Sequence, residues 1–269
     1  MNMTKGSPRG TNRKTAVIVG VLFIIGTASG ILSGVFTAPI RTGATYPLNI
    51  DASETQWILG TLFVLLMGLS LAMVPVLLYP LFRKHNETLA LGSVLFRGVF
   101  ESIGEILLVI SMLLLLTVSE IYGKTGTTDA SSIQTLGSTL VSTGEWVQII
   151  SGIVFSVGTL MIFTLFYQTR LIPRWLSAWG VIGAVLYFTA KIVSMFGPLH
   201  TAPLLELGIG QLMIPTALQE MVFAVWMIVK GFNPSAIAAL SSRQVQGSSS
   251  KIQILAGYSL SRDKSQLER

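Results

Sequence analysis

Six long apolar runs limit what this chain can fold into more than any other feature of its sequence. A helix needs about 20 apolar residues to cross the roughly 30 Å of hydrocarbon in a bilayer. Six segments approach that length: residues 16–37, 57–82, 93–118, 146–167, 176–196 and 207–229. Only 11% of the 269 residues are charged, whereas soluble domains carry about 25%. The sequence therefore predicts an all-α, polytopic membrane protein with six transmembrane helices in contact with the lipid bilayer.

Lysine and arginine are distributed unevenly around the predicted spans. Fourteen of the 18 lie in the N-terminal segment, the second and fourth loops or the C-terminal segment, and only Arg41 and Lys124 lie in the opposite loops. Because cytoplasmic loops are enriched in these residues, we expect both termini in the cytoplasm, an N-in/C-in topology. The same bias accounts for the net charge of +6, so we expect no nucleic-acid partner.

The predicted domain organisation has three parts. Residues 1–14 form a basic cytoplasmic tail, residues 15–233 form the six-helix transmembrane domain, and residues 234–269 form a cytoplasmic tail. The polar, serine-rich composition of this last segment predicts disorder. In the outer loop before the fourth span, Ile133, Leu136 and Leu140 fall on one helical face, which predicts a short interfacial helix.

Charged side chains inside the predicted spans are the first candidates for function, because ions are costly in hydrocarbon. Arg97, Glu101 and Glu105 in the third span are spaced four residues apart and therefore share one helical face. We expect this face to meet polar groups of the fifth and sixth spans at a similar depth. The predicted buried polar cluster consists of Arg97, Glu101, Glu105, Lys191, Gln211, Gln219 and Glu220.

Two interpretations of this cluster stay open. In the first, the carboxylates of Glu101, Glu105 and Glu220 surround a mid-membrane pocket for a small solute or a proton, as in a transporter or permease. In the second, the cluster only locks the bundle through ion pairs and hydrogen bonds, and the protein binds a partner or lipid without catalysis. The third carboxylate has no obvious cation partner in the sequence, which favours the first interpretation.

Several enzyme classes lack their characteristic residues in this sequence. Cysteine is absent, and the two histidines, His85 and His200, lie in loops on opposite sides of the predicted membrane. No predicted span contains an aspartate. An intramembrane enzyme is therefore the least favoured interpretation, and we expect no cofactor and no metal site.

Small residues recur at regular spacing in the first span. Gly26, Gly30 and Gly34 form two consecutive small-xxx-small steps, and such steps let another helix backbone approach closely. We expect these glycines to pack within the bundle. Homodimerisation through the same face is the alternative.

Five short segments carry a specific combination of residues. They are YPLFRKHNE (79–87), DASSIQTLG (129–137), LIPRWLSAWG (171–180), ALQEMV (217–222) and VKGFNP (229–234). Together they closely resemble a bacterial multi-pass membrane family catalogued as domain of unknown function 4386, over residues 13–234. The resemblance implies a protein of the bacterial cell membrane with about six spans. It implies no activity.

Overall fold

The computed structural model describes residues 8–43, 45–125, 130–196 and 214–242, and every regular element in these ranges is helical. The elements in chain order are α1 (Pro8–Arg41), a 3-10 turn (Asp51–Ser53), α2 (Glu54–Phe82), α3 (Glu87–Ser93), a π-helical segment (Val94–Phe100), α4 (Glu101–Thr125), α5 (Ala130–Thr169), α6 (Arg174–Phe196), α7 (Ile214–Val229) and α8 (Pro234–Ser242). The π segment joins α3 to α4 without a break. The predicted all-α membrane fold is confirmed.

Five of the described helices or helix runs are long and apolar enough to cross a membrane. The sixth span would be α7, whose 16 described residues cover about 24 Å at the helical rise per residue. A bend of 83° separates α7 from α8. The start of the predicted sixth span, residues 207–213, lies outside the described residues.

The outward faces of these helices are as apolar as the inward ones. On α4, Ile103, Leu107 and Leu114 are exposed, whereas Leu108 and Met112 are buried against neighbouring helices. A soluble bundle would place polar side chains on the exposed face. The apolar exterior is therefore the surface that contacts lipid acyl chains.

Glycines in α1 bring it close to α2. A Cβ built on Gly26 would lie 2.6 Å from the side chain of Leu71, and one on Gly30 would lie 2.9 Å from Met67 Sδ. These two glycines therefore lie against α2 of the same chain. No atom of another described helix lies within 4 Å of a Cβ built on Gly34, so the third glycine of the series contacts none of these helices in this way.

The start of α1 and the end of α7 meet at one end of the bundle. Arg13 Nη2 donates to the Ile228 carbonyl at 2.6 Å, and Arg13 Nη1 donates to the Met227 carbonyl at 3.2 Å. The loop after α5 lies at the same end, because the Asn233 backbone N–H donates to the Leu171 carbonyl at 2.8 Å. The N-in/C-in topology requires that the start of α1 and the end of α7 lie at the same end of the bundle. Which side of the membrane this end faces stays a prediction.

Gly231 ends α7 in the left-handed conformation, with φ of +70°. Gly231→Ala should lower the free energy of unfolding by about 1–2 kcal/mol, because L residues are strained at this φ. The new Cβ would also lie 2.9 Å from Arg13 Nη1. Denaturant titration in detergent micelles measures the change. Lys230→Ala, at the exposed neighbouring position, should change the stability by less than about 0.5 kcal/mol, and equal losses in the two variants would contradict the prediction.

The prediction that the chain is disordered from residue 234 onward is wrong for Pro234–Ser242, which form α8. Ala236 and Leu240 are one helical turn apart, and both are buried against the core at the end of the bundle where α1 begins and α7 ends. Asn233 Oδ1 accepts the Ser235 backbone N–H at 3.1 Å and satisfies a donor at the start of the helix. The sequence did not predict α8 because its apolar face is short and is surrounded by serines. Residues 243–269 lie outside the described residues.

Two further helix boundaries differ from the prediction. The short interfacial helix expected before the fourth span is instead the first part of α5, which is continuous over 40 residues. Thr139 and Thr143 donate their hydroxyls to the carbonyls four residues earlier at 2.8 Å, so these polar residues are satisfied without a break in the helix. Likewise, α1 begins at Pro8, and the later part of the predicted basic tail is helical.

Candidate functional site

Arg97 lies in the π-helical segment and is the central cation of the site. Its side chain is only 2% exposed. Arg97 Nη1 donates to Glu101 Oε1 on α4, and Nη2 lies 3.2 Å from Glu220 Oε1 on α7. One guanidinium therefore connects two helices through two carboxylates. π-Helical segments inside α-helices occur frequently at functional sites.

Close helix contacts hold this arginine in place. A Cβ built on Gly158 of α5 would lie 2.6 Å from the backbone nitrogen of Arg97, so only glycine lets α5 approach the π segment this closely. One turn earlier on α5, the Phe155 ring centroid lies 4.2 Å from the Arg97 guanidinium carbon. A guanidinium over an aromatic face is attracted by the ring quadrupole. Arg97 thus has partners on α4, α5 and α7.

Lys191 on α6 is near the cluster but forms a different contact. Its Nζ lies 5.4 Å from the centroid of the Tyr187 ring, and its aliphatic stem packs at the position of Gly152 on α5. Within the described ranges, no carboxylate lies within salt-bridge distance of its ammonium. Tyr187 in turn lies 4.9 Å from Phe155, measured between ring centroids. Two aromatic rings therefore lie between the buried Arg97 and the partly buried Lys191.

Glu105 extends the row of carboxylates one turn beyond Glu101. Its stem packs against α2, where a Cβ built on Gly68 would lie 2.9 Å from the Glu105 Cβ. Neither Glu101 Oε2 nor Glu105 Oε2 has a hydrogen-bond partner among the described residues. Buried polar atoms are usually paired. These two oxygens are the only charged groups among the few buried polar atoms of the described residues that lack a partner.

A cavity of about 470 Å³ lies in front of these oxygens. Glu101, Glu105 and Glu220 form its acidic wall, and its lining follows α1 from Thr27 to Arg41, which is about 21 Å of helix. Most of the remaining wall is apolar, with hydroxyl groups interspersed. The lining also includes Val64, Met67, Leu71, Leu108, Ser151, Phe155, Tyr187, Lys191 and Thr216.

The structure brings Arg97, Glu101, Glu105, Glu220 and Lys191 to the same region of the bundle. One other predicted member of the polar cluster is placed differently. Gln219 is buried, but its Nε2 faces the Leu176 carbonyl of α6 at 3.4 Å, so it contributes to the contact between α6 and α7. Gln211 lies outside the described residues.

Sequence reasoning missed three contributors to the site: Phe155, Tyr187 and Thr216. Tyr187 precedes Lys191 by four residues and therefore shares its helical face, so this spacing could have identified it. Phe155 and Thr216 had no comparable signal, because a phenylalanine or threonine in an apolar span is usually a packing residue. Their roles appear only from their distances to Arg97 and to the cavity.

The family model described as "Domain of unknown function (DUF4386)" matches residues 18–231. The chain belongs to this family. The DUF4386 region contains the whole cluster and ends at Gly231, the residue that terminates α7, so α8 follows the matched region. No curated protein and no solved structure matches the chain. Membership in DUF4386 confirms the resemblance seen in the sequence and assigns no activity.

Proposed function

We propose that this DUF4386 protein is a permease-like carrier that binds a small solute in the cavity lined by α1, α2, α4, α5, α6 and α7. The observation that carries the proposal is the pair of unpartnered carboxylate oxygens, Glu101 Oε2 and Glu105 Oε2, on the cavity wall. Ionisable groups inside a membrane protein that face a cavity typically mark substrate or ion pathways. A bound solute would supply the hydrogen-bond partners that the described residues do not.

The alternative is a non-catalytic membrane protein in which the cluster has a purely structural role. The pairing of Arg97 with Glu101 and Glu220 favours it, because these contacts connect α4 to α7. Glu105 argues against it. A structural network gains stability only when each buried member is satisfied, and Glu105 Oε2 adds a buried acceptor with no protein partner among the described residues.

Cysteine accessibility tests the proposal without knowledge of the solute. The natural chain contains no cysteine, so a single Ser151→Cys variant places one thiol at the cavity wall. A carrier must expose its site to each side of the membrane in turn. A membrane-impermeant thiol reagent should therefore modify this cysteine when added to either face of oriented proteoliposomes. Mass spectrometry of the intact protein measures the modification.

The matched control for this experiment is Ile103→Cys. Ile103 lies on the exposed apolar face of α4, where an impermeant reagent has no aqueous access, so this variant should stay unmodified from both faces. Modification of Ser151→Cys from one face only, or from neither, would reject the carrier and support the structural role.

A further inference from the structure

Among the described residues, the cluster has one more acid than it has bases. Three carboxylates, Glu101, Glu105 and Glu220, line the cavity, and Arg97 and Lys191 are the two described cations near them. Arg97 is shared by Glu101 and Glu220. Lys191 points at the Tyr187 ring and makes no salt bridge within the described ranges. An unbalanced negative charge away from water is unfavourable, so this wall of the cavity stabilises one added positive charge.

We propose that the solute of this cavity is a small organic monocation with N–H donors, that is, a primary or secondary ammonium with an apolar body. The inference rests on the proposed function, since it names the substrate class of the same site. It goes further by specifying the charge, the hydrogen-bonding groups and the shape of the solute. Each of these follows from a different part of the cavity wall.

The requirement for N–H donors follows from the atoms that lack partners. Glu101 Oε2, Glu105 Oε2 and Thr216 Oγ1 have no hydrogen-bond partner among the described residues, and all three residues line the cavity. Thr216 is only 4% exposed. A carboxylate oxygen accepts hydrogen bonds, a hydroxyl can also accept them, and a primary ammonium offers three donors. One ammonium group therefore matches these oxygens in both charge and hydrogen bonding.

A quaternary ammonium fits this wall less well. Proteins bind quaternary ammonium groups with the faces of aromatic rings. The two aromatic rings of the wall already contact the protein's own cations: Phe155 lies against Arg97, and Tyr187 lies against Lys191. A quaternary nitrogen also has no N–H group to donate to the carboxylates. The cavity should therefore discriminate between the two kinds of ammonium.

The apolar part of the solute follows from the apolar side chains of the lining. Val64, Met67 and Leu71 of α2, together with Leu108 of α4, face the same cavity. Ligand sites of this kind combine a mainly apolar lining with a few polar groups that orient the ligand. An alkyl or aryl substituent on the ammonium would bury its surface against these side chains. A fully hydrophilic cation such as a metal ion would leave these side chains without a partner.

A proton is the competing way to neutralise the extra negative charge. The charged and titratable groups that face the acidic wall are Arg97 and the glutamates of α4, Tyr187 and Lys191 of α6, and Glu220 of α7, while the described cavity lining from α2 and α5 contains none. Arg41 of α1 lies at the far end and is exposed. Where the pH is low enough to protonate a carboxylate of the wall, the extra negative charge is absent. Binding of the organic cation should therefore weaken as the pH falls. Binding under these conditions should release the proton to solvent.

Three matched probes test the inference on the purified full-length protein in nanodiscs. They are 2-phenylethylammonium, its N,N,N-trimethyl analogue and 2-phenylethanol, which share the same apolar body. By calorimetry, the primary ammonium should bind at least about tenfold more tightly than either analogue, a ratio that corresponds to about 1.4 kcal/mol. Its affinity should fall between neutral and acidic pH. Equal affinities for the three probes, or no measurable binding of the primary ammonium, would overturn the inference.

Two glutamine variants locate the binding. Glu105→Gln should weaken binding of 2-phenylethylammonium by at least about tenfold, because it removes the one carboxylate of the acidic wall that forms no salt bridge within the described ranges. Glu120→Gln changes a carboxylate on the same helix that is partly exposed and paired with Lys124 at 3.8 Å, so it should have no effect. Undiminished binding in Glu105→Gln would overturn the inference. If binding fails while Ser151→Cys is modified from both faces, the carrier function stands and only the substrate class is wrong.

Discussion

Arg97→Met should lower the free energy of unfolding by about 3–5 kcal/mol, the usual loss when one partner is removed from a buried ion pair. The side chain of methionine is long enough to fill much of the same space, so the loss reflects charge more than volume. Without the guanidinium, Glu101 and Glu220 would remain buried with no cation between them. Denaturant titration in detergent micelles, followed by circular dichroism, measures the change.

The control for this variant is the same substitution at an exposed arginine. Arg41 lies at the end of α1 with its guanidinium 5.7 Å from the centroid of the Trp57 ring. Arg41→Met should cost less than about 1 kcal/mol, as expected for a cation–π contact at an exposed site. In addition, Glu220→Gln introduced into Arg97→Met should recover part of the stability. If Arg97→Met is as stable as Arg41→Met, the ion pairs do not hold α4 against α7.

Gly158→Ala should lower the free energy of unfolding by about 1–3 kcal/mol through overpacking. The added Cβ would lie 2.6 Å from the backbone nitrogen of Arg97 and 2.8 Å from its Cβ. These atoms belong to the π segment and cannot rotate out of the way, so α5 must move away from it. That movement would also carry the Phe155 ring away from Arg97, and binding of 2-phenylethylammonium should weaken as well.

Gly34→Ala is the matched control for Gly158→Ala. It makes the same chemical change within a membrane helix, but no atom of another described helix lies within 4 Å of the new Cβ. Its effect on stability should stay within about 0.5 kcal/mol. Thermal unfolding of both variants in the same detergent gives the comparison. A loss as large in Gly34→Ala would mean that alanine itself, and not the contact with the π segment, destabilises the bundle.

The membrane fold could be predicted from hydropathy because it depends on local composition. Predicted spans two and five end at Phe82 and Phe196, and so do α2 and α6. The errors concern segments whose composition is polar, namely α8 and the first part of α5. There, a few buried apolar contacts or hydroxyl groups bonded to backbone carbonyls stabilise a helix that composition does not reveal.

The site could be predicted in part because a helix places residues four apart on one face. This spacing was enough to group Arg97 with Glu101 and Glu105. The similar predicted depth of Glu220 in the membrane was enough to select it as a partner across the bundle. It could not predict that Lys191 turns to Tyr187 instead of a carboxylate. It also could not predict that Gln219 contacts the Leu176 carbonyl. Both outcomes depend on how α6 and α7 are rotated about their axes.

By itself, the amino-acid sequence determined that this chain forms apolar helices and that each helix carries its charged residues at a particular depth and on a particular face. Only the tertiary structure decided which faces meet. Lipid tails and neighbouring helices are equally apolar, so hydropathy does not distinguish a lipid-facing surface from a packed one. That choice is made by close contacts such as Gly158 against Arg97 and Gly152 against Lys191. These contacts place the carboxylates around a cavity.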